Sequence, residues 1–274
     1  MKVFITGGSG FLGKHIISQL DNKSIPVCSL SRAKYPAMKL GKVEILQGNL
    51  TDNISTKLQE CDVFIHAAAH GVNPGTATWE ECFSVNVSQS LKLWQHAVEN
   101  GIQKFIIIGS CFEYGDSASN YSYIPVTAPL KPTGPYHSSK AAATMAALGL
   151  AKDKNLNLQV LRPFHLYGSG EPEYRFWPSL KKAASNGHDF EMTQGEQVRD
   201  FTPVEIAAKQ VIESINRKIT MGQPEIRNIG TGKERTLKEF AKHYWKKWNA
   251  KGQLLFGSVN YRPNEVMRYV PEIN

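Results

Sequence analysis

A glycine-rich turn stands between the first apolar run of the chain and its first amphipathic run, and it limits the fold more than any other stretch. Residues 2–6 read KVFIT, a short β-branched strand. They lead directly into Thr6-Gly7-Gly8-Ser9-Gly10-Phe11-Leu12-Gly13, after which KHIISQL (14–20) takes up helical spacing. Gly8, Gly10 and Gly13 fit GxGxxG, while Gly7, Gly10 and Gly13 fit GxxGxxG, and the sequence leaves both registers open. Either register lets the backbone turn tightly, approach a pyrophosphate and aim helix N-terminal N–H groups at it. Between a first strand and a first helix, the loop predicts dinucleotide binding through Gly7, Gly10, Phe11, Leu12 and Gly13.

The pattern repeats along the first 165 residues. PVCSLS (26–31), VEILQG (43–48), DVFIHAA (62–68), KFIIIGS (104–110) and LQVLRPF (158–164) read as strands; helices are expected over roughly 79–99 and from about Tyr136. Strands nearly continuous in apolar residues, alternating with helices, predict an α/β fold: a doubly wound parallel Rossmann sheet covered on both faces. After Tyr167-Gly168 the elements become shorter and mixed, as expected of a smaller C-terminal α/β substrate lobe over the open end of the sheet. The expected division is residues 1–168, with a returning segment at about 198–230, for the dinucleotide domain, and about 169–197 and 231–274 for the substrate lobe. Ligands of such sheets bind beyond the strand C-termini, so the residues just after each strand are the candidates for chemistry.

Composition narrows the alternatives. The chain has 274 residues, 41% of them hydrophobic, with 32 Lys+Arg against 24 Asp+Glu, a net +8. That is enough apolar surface for a sizeable core and excludes disorder. No window approaches about 18 consecutive apolar residues, so no membrane span is expected; no secretory leader is read either, and a cytoplasmic protein is expected. Cys28, Cys61, Cys82 and Cys111 lack CxxC spacing and read as buried free thiols, with no metal site. The excess basic charge is spread out except in KEFAKHYWKKWNAK (238–251), whose aromatic residues at helical spacing suggest an amphipathic helix with a solvated basic face rather than a nucleic-acid site.

Two further features bear on chemistry. The second strand ends in Leu30-Ser31-Arg32, with no carboxylate to hold a ribose 2′-hydroxyl and a guanidinium able to pair with a 2′-phosphate; NADP(H) is expected over NAD(H). Ser110 ends the strand at 104–110, and Tyr136-His137-Ser138-Ser139-Lys140 opens an Ala-rich helix. Tyr136 and Lys140, four apart, share one helical face, and an ammonium beside a phenol is expected to lower the Tyr136 pKa toward neutrality. The same spacing recurs in Tyr35…Lys39, interrupted by Pro36 and with no strand-end serine before it. Order and context, not the spacing, single out Tyr136.

TGGSGFLG, Ser110 ahead of Tyr114-Gly115, YHSSK, LRPFHLYG, GEQVRDFTPVEIA and NIGTG together resemble the extended short-chain dehydrogenase/reductase family of nucleotide-sugar epimerases, dehydratases and 4-ketoreductases. The resemblance spans nearly the whole chain. It implies Tyr136 as catalytic acid/base, Lys140 as cofactor-ribose ligand and Ser110 as the hydroxyl that bonds the reacting oxygen. It also implies Asn49 and Leu50 near the adenine, Ala67 and Ala68 along the cofactor cleft, and a homodimer through the helices near 85–99 and 136–152. Dehydratases of the family carry an Asp-Glu pair directly after the strand-end hydroxyl. Cys111 and Phe112 stand there in this chain, so dehydration is not expected; Glu113 is expected to point elsewhere, and Cys111 to be core.

The His165 of RPFHLYG, where the family usually has Asn, resembles 4-keto-6-deoxyhexose reductases. Arg199 and Arg262 match the arginines that clamp the substrate diphosphate, with His165 as the third substrate-binding candidate. One acid stands after Val204 where two are usual, and the chain ends at Asn274, earlier than typical members, so the helix that often closes the substrate lobe is expected to be absent. The reading that follows is an NADPH-dependent reductase of a nucleoside-diphospho-4-keto-6-deoxyhexose, in deoxysugar and surface-polysaccharide synthesis, with no nucleic-acid or membrane partner. A nucleotide-sugar 4-epimerase using the same tyrosine is the alternative; a non-catalytic relative is disfavoured because both Tyr136 and Lys140 remain.

Overall fold

The structure is a computed structural model that describes residues 1–32, 41–73, 75, 77–263 and 265–273; the Tyr35…Lys39 pair lies outside the described residues. The β-branched runs form strands β1 (Val3–Thr6), β2 (Val27–Ser31), β3 (Val43–Gln47), β4 (Val63–His66), β5 (Lys104–Ile108) and β6 (Asn157–Pro163), with a seventh strand at Glu225–Ile229. All seven are parallel, in the order Glu225–Ile229, β6, β5, β4, β1, β2, β3. The order reverses between β1 and β4, which opens a crevice at the C-terminal edge of the sheet.

Alternation along the strands supplies both faces. Val3, Ile5, Val63, Ile65 and Ile106 pack under helix α1 (Phe11–Asn22) and the Val204–Ile215 helix, against Ile16, Ile17, Leu20 and Val211. Phe4, Phe64, Phe105 and Ile107 point the other way, against Leu93 and Trp94 of the Ser90–Glu99 helix and Ala143 and Ala147 of the Pro135–Asp153 helix. Each fully buried Ile or Leu contributes about 1.5–3 kcal/mol relative to exposure, so a two-sided core of this size holds the sheet rigid. All four cysteines are buried free thiols, as expected.

The helix expected over 79–99 is three pieces: α-helix Trp79–Phe83, a π-helical turn Ser84–Gln89 and α-helix Ser90–Glu99. The widening has tertiary causes. Asn86 is buried and bonds both ways to the backbone of His70, and Ser90 Oγ donates to Val85 O at 2.8 Å. Single π turns of this kind recur at functional sites.

Beyond Gly168 the chain builds short elements over the crevice. Val198–Arg199 pairs with Arg235–Thr236 and with Arg268–Tyr269 in a small three-stranded sheet, and Phe190–Met192 pairs with Leu254–Phe256. The aromatic-basic segment is the Leu237–Lys247 helix, started by a Thr236–Glu239 capping box. Its Phe240 and Ala241 are buried while Lys242, Lys246 and Lys247 face solvent, the amphipathic arrangement expected. The Tyr244 hydroxyl donates to that of Tyr167 at 2.9 Å, which ties the helix to the short Leu166–Tyr167 strand that pairs with Thr202–Pro203. Among the described residues no helix is long and apolar enough to cross a membrane.

Candidate active site

Because the seven strands are parallel, the residues that follow them fall along one edge, and strand order fixes their sequence in space. From one side to the other these are Asn49-Leu50 after β3, Arg32 after β2, the glycine loop after β1, Ala67-Ala68 after β4, Ser110 after β5 and His165 after β6. Asn49 and Arg32 are exposed, and Leu50, Ala67 and Ala68 are half-buried. Ser31 Oγ bonds Ser9 Oγ at 3.2 Å, so Arg32 emerges beside the glycine loop.

The loop itself decides between the two glycine registers. Gly7 sits at φ 69°, and a Cβ there would overlap Ala68 N and the Ala67 carbonyl. A Cβ on Gly13 would collide with the Gly7 carbonyl oxygen. Gly7, Gly10 and Gly13 therefore form the cradle, the GxxGxxG register. Gly10 caps α1 with no side-chain bond to its first N–H groups and no acid in the first turn, which leaves the positive end of the helix facing the crevice. These features fit the diphosphate of a dinucleotide. Gly13→Ala is expected to lower stability by roughly 1–3 kcal/mol through overpacking and to weaken dinucleotide binding at least tenfold, measured by fluorescence titration; unchanged affinity would remove the loop from the cofactor site.

The wall between β1 and β4 is held by a buried polar chain. Ala68 N–H donates to Thr6 Oγ1 (3.3 Å), which lies 2.9 Å from His66 Nδ1, and Ser90 Oγ lies 3.0 Å from His66 Nε2. Since Ser90 gives its proton to Val85 O, His66 carries its own on Nε2. Burial and the nearby Lys140 charge push the imidazole down to about 3, so it is neutral.

Ser110, Tyr136 and Lys140 come together as expected, but their electrostatics differ from the expectation. Ser110, beside the Tyr136 phenol, favours the phenolate; burial nevertheless dominates and pushes Tyr136 up to about 12. Lys140 does not lower it. Lys140 is buried and its Nζ donates to Ile108 O at 2.6 Å, directing the ammonium along the end of β5 rather than at the phenol. Burial pulls the Lys140 pKa down and the charge of Glu113 pulls it up. The expected near-neutral phenol is thus corrected: burial keeps Tyr136 protonated.

Cys111 and Phe112 occupy the turn after Ser110. Cys111 is buried and its thiol is pushed up to about 12 by desolvation, which makes it core, as expected. Phe112 stacks on His137 at 4.9 Å and meets the His165 ring edge-on at 5.7 Å. Glu113 turns away from the crevice into a wholly buried ion pair with Arg162, Nε to Oε2 at 2.8 Å.

His165 stands half-buried between Phe112 and Tyr269, and its Nδ1 is buried with no partner. Burial, followed by the Arg199 and Arg175 charges, holds it far below the usual imidazole range, so the ring is neutral. Arg199 is 8% exposed and engaged within the protein: one Nη bonds Glu265 Oε1 and Val266 O, both at 2.7 Å, and the other bonds Val198 O. Arg262 is exposed and lies on the turn that delivers Glu265, whose N–H donates to Arg262 O. Arg175 was not foreseen. Its charge acts on Tyr136, on His165 and on Glu171, and its Nη2 reaches Val72 O at 3.3 Å. It lies in no spaced motif, only beside an aromatic run.

A family model described as "NAD dependent epimerase/dehydratase family" matches residues 3–230. The dTDP-D-glucose 4,6-dehydratase of Mus musculus is 27% identical over 296 residues, covering 98% of this chain and 80% of the relative. A UDP-glucose 4-epimerase of Lactobacillus helveticus is 24% identical over 258 residues, covering 84% and 77%. Among solved structures, MoeE5 in complex with UDP-glucuronic acid and NAD superposes with a TM-score of 0.87 at 25% identity, covering 100% of this chain and 90% of the other.

Proposed function

The chain belongs to the NAD dependent epimerase/dehydratase family, and on that premise we propose that it is a nicotinamide-dependent enzyme acting at C4 of a nucleoside-diphosphate sugar, and more narrowly an NADPH-dependent reductase of a 4-keto-6-deoxyhexose. The observation that carries this reading is the Ser110–Tyr136 hydroxyl pair at the strand end, with Cys111 and Phe112, which carry no carboxyl, directly after Ser110. Dehydration needs an acid and a base beside the ring. Glu113, the acid of the turn after Ser110, is committed to Arg162, Thr144 and the Ser110 N–H. The similarity to a dehydratase therefore does not extend to acids at the two positions directly after Ser110.

A nicotinamide bound along the Gly7–Gly13 cradle supplies hydride chemistry. Of the chain's own groups, Tyr136 gives its proton to the oxygen of the reduced carbon, Ser110 orients that oxygen, and Lys140 lies at the end of β5 within reach of a ribose. A phenol held up at about 12 is the acid form that a reduction consumes. Arg175, with Arg262 at the rim, sets positive charge where a diphosphate would lie, while Arg199 would have to leave Glu265 to join them. On the same reading, residues 169–197 and 231–274 form the substrate lobe, and the Ser90–Glu99 and Pro135–Asp153 helices, with Met145 exposed on the latter, form a homodimer face.

NADPH oxidation against CDP-, dTDP- and GDP-linked 4-keto-6-deoxy sugars tests the proposal, with the product examined by NMR. Stoichiometric NADPH loss with a new C4 carbinol supports it. The second reading, a 4-epimerase, is favoured by the epimerase relatives and by the NAD in MoeE5; interconversion of C4 epimers without net cofactor consumption would establish it instead. Arg32 decides the cofactor: Arg32→Asp is expected to shift preference from NADPH toward NADH by roughly 10–100-fold in kcat/KM, the value of one charge-assisted contact. Equal use of both cofactors by the unaltered protein would dismiss the NADP assignment.

A further inference from the structure

Glu113 lies at a junction that the proposed chemistry does not use. It is 0% exposed. Its Oε1 accepts the Ser110 N–H at 2.8 Å; its Oε2 accepts Arg162 Nε at 2.8 Å and Thr144 Oγ1 at 2.8 Å. Ser110 ends β5, Arg162 is in β6, and Thr144 is four residues beyond Lys140 on the same face of the Pro135–Asp153 helix. One carboxylate thus fastens the hydroxyl-bearing turn, the sheet and the helix carrying Tyr136 and Lys140.

We propose that Glu113 is a positioning residue of the site: it locks Ser110 against the Tyr136–Lys140 helix and supplies the buried negative charge that the Lys140 ammonium faces. The inference rests on the reading of Tyr136 and Lys140 given above. The charges around it balance in its favour. Arg162 and Lys140 are positive and Glu113 is negative, so Glu113 offsets part of the positive charge buried at this junction. Lys140 faces Glu113, neutral His66 and the Ile108 carbonyl; Glu113 is among the charges felt by Tyr136 and Cys111, and Tyr114 is bonded to Arg162. Without Glu113, desolvation would act on Lys140 unopposed by any of these groups. A Lys140 that loses its proton earlier also loses its hold on the cofactor ribose earlier. Removing the negative charge eases Tyr136 ionisation as well, so both effects move the alkaline limit in the same direction.

Glu113→Gln keeps the shape and an acceptor for Ser110 while removing the charge. NADPH affinity, followed by fluorescence between pH 7 and 10.5, is expected to fall off about one to two pH units earlier than in the unaltered protein, and the alkaline limb of kcat/KM should move with it. Thr144→Val, which removes a bond to Glu113 but no charge, should lower thermal stability without moving either limb. A folded Glu113→Gln protein whose limbs coincide with those of the unaltered enzyme would overturn the proposal. Should that variant not fold, Glu113→Gln with Arg162→Met removes both members of the ion pair together and must show a shift in the same direction. Full turnover in Tyr136→Phe would refute the proposed function, whereas the binding limb would still decide the role of Glu113.

Discussion

Tyr136→Phe is expected to lower turnover about 10³-fold, within the 10²–10⁴ range of a positioned proton donor, while leaving dinucleotide affinity within a few fold. The substitution removes one oxygen atom and little else. The ring keeps its edge-on packing against His137 at 6.0 Å, the helix keeps its Pro135 start, and the Gly7–Gly13 cradle is untouched. What disappears is the proton that the phenol delivers and the hydroxyl that faces Ser110. The pH profile makes the assignment sharper. With Tyr136 held up at about 12 in the free protein, the donor form is intact through the neutral range, so reduction should be flat from pH 6 to 8 and decline only in alkali. Oxidation of the corresponding alcohol needs the phenolate and should rise with pH over the same interval. A Phe variant within threefold of the unaltered enzyme, measured with the substrate that the unaltered enzyme reduces, would assign the proton to another group.

How far the sequence revealed this arrangement depends on the range of the forces involved. The strands follow from local periodicity and were legible to within a residue or two, as was the burial of the cysteines; the helix read at 14–20 begins three residues earlier, at Phe11. The choice of glycine register was not, because it depends on Gly7 meeting the Ala67–Ala68 backbone some 60 residues on. The π turn at Ser84–Gln89 was hidden for the same reason: it is imposed by bonds of Asn86 to His70 and Ser139. Spacing placed Tyr136 and Lys140 on one face correctly yet gave the wrong electrostatics, since a shared face does not say which acceptor the ammonium finds, and the Ile108 carbonyl at 2.6 Å lies on another element. Arg199 was foreseen near the substrate, but its engagement by Glu265, 66 positions away, was not.

Arg162→Met should be the most damaging single change to stability, about 3–5 kcal/mol, read as a fall in Tm of roughly 6–15 °C. Arg162 is 1% exposed, its Nε bonds Glu113, one Nη donates to the Tyr114 hydroxyl at 3.0 Å, and its guanidinium carbon lies 4.7 Å over the Tyr114 ring. Met fills most of the volume, so the loss is not chiefly a cavity. The cost arises because Glu113 is left with its charge in a dry interior, with only Thr144 and the Ser110 N–H to solvate it. For that reason the double variant Glu113→Gln/Arg162→Met should be more stable than Arg162→Met alone, with a coupling of about 1–3 kcal/mol between the two positions. Strict additivity of the two changes in urea unfolding would show that the pair does not act as a unit. The electrostatic hold of Glu113 on Lys140 would then have to be exerted by a carboxylate indifferent to its own partner, which a separation of 2.8 Å in a water-free setting does not allow.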